Sequence, residues 1–420
     1  MTTPLALYVH VPFCVRRCHY CDFAVSRSAK PPIGAWLACL SEDIRQWEEE
    51  TGAPSGRPLD TIFVGGGTPS LLGERGMEGL AALLSDRFRW SASDVEWTVE
   101  ANPGSLGVGA LRAWRDLGVT RVSIGVQSFD DAALRWLGRL HDADGAVAAI
   151  RRVREAGFAD VSIDLLFGLP EGVRTSWERD VDRALELDVP HLSLYGLTAE
   201  PRTPLGRLVG LGRVALADED RYGREYLVAA SRLAGAGYRH YEVSNFGRPG
   251  RECRHNWHYW LDSDYLGLGP SAHARLGRER VWNVRDWAAY RRTAQRGGCL
   301  REGRERLDPA AERLERIWLG LRTARGLEIG TPGGVDPPGV LLERWRRAGW
   351  ARVDGDRLRL TPEGWLRLDA LATELDGLAP ELEGLAPELE GLTTELAARN
   401  GARTAAGRVA EDGRTWKGNR

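Results

Sequence analysis

Short apolar runs of strand type recur along the first half of the chain. Each is followed by a longer stretch whose apolar residues fall at helical spacing. The runs lie at 5–11 (LALYVHV), 60–64 (DTIFV), 95–100 (VEWTVE), 121–126 (RVSIGV), 160–166 (DVSIDLL) and 190–195 (PHLSLY). Between them, GALRAWRDLG and DGAVAAIRRVREAG carry the three-to-four-residue apolar repeat of helices buried on one face. Strands alternating with helices of this length predict a parallel sheet covered by helices. Six such units predict an α/β fold, a partial (β/α)6 barrel of the TIM type, with an open doubly wound sheet as the alternative.

A barrel makes a demand on the polar positions, because working residues belong at the C-terminal ends of its strands. Cys14 lies just past the first strand, and GGGTP (Gly65 to Pro69) follows the second. Glu100 and Asn102 end the third, Gln127 ends the fourth, Asp164 sits within the fifth, and Thr198 follows the sixth. Polar groups at the same end of all six strands mark that end as a site.

From about Asp308 the texture changes. AAERLERIWLGLRTARG and GVLLERWRRAG read as amphipathic helices, and WARVDGDRLRLTPEG as a hairpin turning at Asp354-Gly355. Two helices and a hairpin predict a small winged-helix-like module. Between Pro309 and Ala370, 11 Arg stand against 9 acidic residues, which lacks the basic surplus of a DNA reader and favours a structural or docking role. The repeat ELDGLAP ELEGLAP ELEGLTT (Glu374 to Thr394) puts Gly and Pro in its units, which spoils a coiled coil. The expected organisation is a barrel over 1–240, a connecting segment over 241–307, the winged-helix-like module over 308–370, and a weakly ordered tail over 371–420.

Composition narrows the partners. The 420 residues carry a net charge of −2, and of 57 basic side chains only Lys30 and Lys417 are lysine. The arginines are spread evenly, so no nucleic-acid partner is expected. No apolar run approaches the roughly 20 residues of a membrane span, and no charged-then-apolar leader is visible. A cytoplasmic location is expected, with membrane contact only through a partner. In that compartment cysteines are free, catalytic or metal-bound rather than paired. Cys39, Cys253 and Cys299 are scattered and read as plain thiols.

Cys14, Cys18 and Cys21 are different: C-x₃-C-x₂-C inside HVPFCVRRCHYCDF, with no fourth thiol. Structural zinc wants four ligands in closed tetrahedral geometry, and His10 or His19 is at hand as the fourth. Iron–sulfur clusters also use closely spaced thiolates, and three on a four-iron cluster leave one iron open to an external molecule.

That spacing after a first strand, with Tyr20 before the last Cys, resembles the radical S-adenosylmethionine (SAM) superfamily. YVHVPFCVRRCHYCDF, FVGGGTPSLL, TVEANPGSL, RVSIGVQSFDD, LGRLHD, SIDLLFGLPEG and HLSLYGLT, in this order, narrow the resemblance. They are similar to the oxygen-independent coproporphyrinogen III oxidases and to their relatives, the HemW-type heme chaperones, from about Tyr8 to Asp369. The resemblance implies a [4Fe–4S] cluster on Cys14, Cys18 and Cys21, its fourth iron chelated by the methionine moiety of SAM. It implies SAM contacts at Tyr8, Tyr20, Gly66, Gly67, Thr68, Glu100, Gln127, Arg139, Asp164 and Thr198. Acidic and amide groups suit ribose hydroxyls and an ammonium, and arginine suits a carboxylate.

Two functions share this scaffold: radical decarboxylation of coproporphyrinogen III, and heme carriage. The oxidase pattern has a further Cys two residues after the third, where this chain has Phe23, and a long N-terminal extension, whereas strand one here begins almost at Met1. CRHNWHYW (Cys253 to Trp260) places His255, Asn256, Tyr259 and Trp260 on the H-N-x-x-Y-W heme motif of the chaperones, with His258 as a competing imidazole. The resemblance thus favours a carrier of heme, with a heme-acceptor protein as partner and an electron donor for the cluster. Coproporphyrinogen oxidase activity is expected to be absent; a radical SAM enzyme acting on another tetrapyrrole or small molecule remains an alternative. A second loop, LGLGPSAHA with His273, is expected near the barrel mouth, its role open.

Overall fold

The computed structural model describes residues 4–52, 57–330 and 335–377. Six parallel strands stand side by side in chain order: β1 (Leu5–Val11), β2 (Leu59–Gly66), β3 (Glu96–Ala101), β4 (Arg121–Gln127), β5 (Asp160–Phe167) and β6 (His191–Gly196). Right-handed crossovers between strands in unbroken order send all connecting helices to one face and leave the other to line an interior. A doubly wound sheet needs a reversal of strand order, so that alternative is excluded. The helices are α1 (Ile33–Thr51), α2 (Gly73–Arg87), α3 (Val108–Asp116), α4 (Asp131–Trp136), α5 (Ala143–Glu155), α6 (Trp177–Glu186), α7 (Pro204–Gly210) and α8 (Glu219–Gly235).

Local chemistry sets the boundaries. Asp142 caps α5 by accepting from the Gly145 amide at 2.8 Å, and Gly157 turns the chain from α5 toward β5 at φ 90°. The interface between sheet and helices is aromatic: Trp36, Trp97 and Trp114 are fully buried. The Trp36 indole also donates to the His10 carbonyl at 3.1 Å, fastening α1 to β1. Truncating such a ring costs about 3–5 kcal/mol.

Residues 241–307, expected as the heme-motif and connecting segment, also carry strands of the main sheet. β7 (Arg239–Glu242) and β8 (Asn245–Gly247) extend the sheet antiparallel beyond β6. After α9 (Arg254–Trp260), β9 (Tyr265–Leu268) pairs parallel with β1. β10 (His273–Leu276), β11 (Glu279–Asn283) and, after α10 (Trp287–Gln295), β12 (Arg301–Arg306) continue antiparallel, giving twelve strands in one sheet among the described residues. These strands escape a hydrophobic-run reading because they are short and partly polar, β12 being REGRER.

The C-terminal elements are α11 (Pro309–Arg322), β13 (Leu327–Glu328), α12 (Gly339–Arg347), β14 (Ala351–Asp354), β15 (Arg357–Leu360), α13 (Pro362–Trp365) and α14 (Leu368–Gly377). The three strands form an antiparallel sheet with β15 central, and Gly355 at φ 61° opens the turn between β14 and β15. Trp365 joins this region to the sheet edge, its ring lying edge-on to His240 at 4.3 Å. Weak order was expected from residue 371, yet α14 runs to Gly377 and buries Leu371, Ala372 and Leu375. The remainder of the expected tail, 378–420, lies outside the described residues. Among the described residues no helix is long and apolar enough to cross a membrane.

Candidate functional site

A cavity of about 820 Å³ occupies the barrel interior. Cys14, Cys18 and Cys21 line it, as do all ten residues expected to contact SAM: Tyr8, Tyr20, Gly66, Gly67, Thr68, Glu100, Gln127, Arg139, Asp164 and Thr198. They arrive from all six strands, as the C-terminal-end rule for barrels demands.

Among the described residues no three His, Cys, Asp or Glu side chains stand close enough to share one metal ion. A tetrahedral zinc needs every sulfur about 2.3 Å from a single point and a fourth ligand beside the three thiols. A cluster takes each thiolate on a different iron, and three thiols lining one cavity fit that arrangement. His10 is no fourth ligand. Its Nε2 donates to the Ala24 carbonyl at 2.9 Å and its Nδ1 lies 3.0 Å from the Tyr8 hydroxyl, so the ring instead pins the cysteine loop to β1. His19 packs edge-on against Trp136 at 4.9 Å.

Arg139, Asn102 and Thr68 tie three strand ends to the thiols. Thr68 Oγ1 sits 3.3 Å from Cys14 Sγ and accepts from Asn102 Nδ2 at 2.9 Å. Arg139 Nη2 donates to Asn102 Oδ1 and, at 2.7 Å, to the Gly125 carbonyl, while Nη1 lies 3.7 Å from Cys18 Sγ. Burial pushes the Cys14 thiol up to about 11, against the pull of the Thr68 hydrogen bond and Arg139. The buried guanidinium is the local charge that favours the thiolate a metal requires.

The glycines have a packing reason. A Cβ on Gly66, whose φ is 108°, would fall 2.5 Å from the His10 ring, and one on Gly67 would fall 2.7 Å from the Phe13 carbonyl. GGGTP therefore lies flush against β1 and the cysteine loop, and its backbone forms the cavity wall. The Gly66 amide donates to Glu100 Oε2 at 3.0 Å.

Glu100 and Asp164 are buried carboxylates facing the same space. Burial lifts Glu100 to about 8, with the Asp164 charge adding, and lifts Asp164 to about 6 against hydrogen bonds from Ser193 and Ser123. Two such carboxyls in one cavity are prepared for a ligand with cationic or hydroxyl groups. Gln127 adopts φ 72° just after a register shift in β4, a left-handed conformation costly for glutamine that turns the end of the strand.

The H-N-x-x-Y-W segment forms α9 at the opposite end of the barrel. The His255 amide donates to Glu96, the first residue of β3, at 3.0 Å, and His258 Nε2 donates to Asp60 in β2 at 2.7 Å. The His255 ring is buried against Phe63, with Nδ1 2.7 Å from Thr61 Oγ1 and Nε2 2.8 Å from the Tyr259 hydroxyl. Of its four candidate heme residues, Tyr259 reaches the cavity as its floor. Trp260 stacks against the Arg322 guanidinium at 4.1 Å, and Asn256 lies 3.5 Å from the Tyr241 hydroxyl. His255, expected as a heme residue from its motif, is thus enclosed between β2 and α9. A buried imidazole must satisfy both nitrogens, and here β2 and α9 itself do so.

The radical SAM superfamily pattern matches residues 8–184. The heme chaperone HemW of Bacillus subtilis is 35% identical over 321 residues, 76% of this chain and 84% of that protein. HemW of Mycobacterium tuberculosis is 36% identical over 380 residues, 89% of this chain and 95% of that one. The chain belongs to the HemW family. The coproporphyrinogen III oxidase HemN of Escherichia coli superposes with a TM-score of 0.72 at 23% identity, covering 89% of this chain and 90% of that structure, which shows a shared fold.

In this HemW-family chain, Phe23 stands 63% exposed on the cavity rim, where the oxidase pattern has a cysteine. Sequence reading placed Asn102 at the strand end that marks the site without giving it a ligand role, and did not assign Tyr195 or Arg285, although all three line the cavity. Asn102 carried a signal, standing at the end of a strand beside Glu100. Arg285 carried none, because its place depends on the unforeseen strands β10 and β11.

Proposed function

We propose that this chain is a heme chaperone, binding heme beside a [4Fe–4S] cluster and SAM and delivering the heme to an acceptor protein. The observation that carries this reading is the similarity to curated heme chaperones along 84% and 95% of their lengths. In it, Cys14, Cys18 and Cys21 hold the cluster, with Arg139 supplying the compensating charge beside Cys18. Glu100 and Asp164 receive the cationic and hydroxyl groups of SAM, Gln127 and the Gly66–Gly67 backbone shape its bed, and Tyr8, Tyr20, Thr68 and Thr198 complete the wall. Cluster and SAM together supply one-electron chemistry when bound; the chain positions them and shields them from water. An electron donor to the cluster and a cytoplasmic site of action belong to the same reading, in keeping with six unpaired cysteines.

Phe23 weighs against the oxidase, since its exposed ring leaves the rim without the additional thiol. A hemin titration of the anaerobically reconstituted protein tests the reading. One heme per chain with a protein-bound Soret band is expected, and a spectrum indistinguishable from free hemin would contradict it.

A further inference from the structure

The eight histidines differ sharply in what their rings have free. His10, His191 and His255 engage both nitrogens. His141 gives Nε2 to the Val126 carbonyl, and His258 gives Nε2 to Asp60 while its Nδ1 is buried. His240 is stacked 3.8 Å from Phe246 with Nδ1 buried, and His19 is wedged between Tyr20 and Trp136. His273 lines the cavity with its side chain exposed, and among the described residues no hydrogen bond occupies its ring.

The ring is also held in place. His273 pairs across the strands with Trp282, and the two rings stack at 6.0 Å and 25°. The loop before it is anchored from beneath, with the Gly269 amide donating to the fully buried Asp43 at 2.8 Å and Asn283 Nδ2 donating to the Gly269 carbonyl at 2.8 Å. Ser271 takes φ 61° in that loop. Burial, Arg280 and Arg285 all push the His273 imidazole below its ordinary pKa, toward the neutral form that binds iron. Arg285 also donates to the Asp22 carbonyl and pairs with its carboxylate at 3.3 Å, which brings the Cys21–Phe23 turn to the same sector of the rim. Phe23 there offers an exposed aromatic face, and the exposed Arg16 and Arg17 line the same cavity.

Resting on the heme-chaperone reading above, we propose that His273 is the protein ligand to the heme iron, at the cavity mouth rather than at α9. Phe23 packs against the porphyrin, and Arg16 and Arg17 face its carboxylates, as guanidinium groups suit. Heme then sits on the cluster side of the barrel, and α9 acts as the floor beneath.

Hemin titrations of the reconstituted full chain decide the matter, read by the Soret band and by low-temperature electron paramagnetic resonance. His273→Ala is expected to weaken Kd by about tenfold or more and to abolish the imidazole-ligated signature. His258→Ala should keep both, and millimolar imidazole should restore the signature to His273→Gly. Iron and sulfide content, unchanged in every variant, shows that folding and the cluster persist. Wild-type affinity and spectrum in His273→Ala, with heme bound by the unmodified chain, overturn the ligand assignment and leave the carrier reading standing. Absence of heme binding by the unmodified chain overturns both.

Discussion

His255 Nδ1 lies 2.7 Å from Thr61 Oγ1, and this contact fastens α9 to β2 across the floor of the barrel. The residue is buried, and its other nitrogen is held by Tyr259. His255→Ala should therefore lower unfolding stability by about 2–4 kcal/mol, from lost packing and two orphaned hydroxyls. Urea denaturation measures it. Burial pushes the His255 pKa down to about 3, so its contribution is complete above about pH 6.5 and fades as pH falls toward 3. Unchanged stability in the variant at pH 7.5 would contradict the structural role.

The thiols divide by place. Cys14→Ala, Cys18→Ala and Cys21→Ala should each abolish the cluster absorbance after anaerobic reconstitution, whereas Cys39→Ala and Cys299→Ala should retain it. Retention of full iron content in Cys18→Ala would sink the assignment.

Glu100 gives a prediction with a sign. Its folded pKa of about 8 exceeds the ordinary carboxylate value, mainly through burial. The protonated form is thus the one the fold favours, and stability drops as pH rises from about 4.5 through 8. Glu100→Gln should remove that drop, raising Tm at pH 8.5 relative to the parent without ligand. The same change should weaken SAM binding at least several-fold by calorimetry, because the carboxylate is lost to the ligand. A variant that is less stable at pH 8.5 would refute the sign.

Gly66→Ala should fail on two counts. Its backbone sits at φ 108°, and the new methyl would meet the His10 ring at 2.5 Å. A loss of about 2–4 kcal/mol is expected, together with reduced cluster retention, because His10 holds the cysteine loop at Ala24. Thermal melts and iron content on one preparation check both.

Much of this was legible in the residues. The six apolar runs became β1 to β6 with ends shifted by at most a few residues, since buried parallel strands write themselves as continuous apolar segments. The cavity residues were legible for the related reason that strand ends in a barrel converge on one mouth. The direction of α9 was not. HNWHYW shows ligand and ring chemistry, but its position is set by Glu96 and Asp60, more than 150 residues earlier in the chain. Nor did sequence single out His273 over His255, because freedom of an imidazole depends on neighbours such as Thr61 and Tyr259 that folding supplies.

The most direct test of a carrier built on an oxidase fold uses one anaerobically reconstituted preparation for two readings. Hemin binding is titrated, and carbon dioxide release from carboxyl-labelled coproporphyrinogen III is followed with SAM and a reductant present. Stoichiometric heme binding with carbon dioxide release no higher than in Cys21→Ala is the predicted result. Release well above that control, without heme binding, would contradict the chaperone account and return the chain to the oxidases.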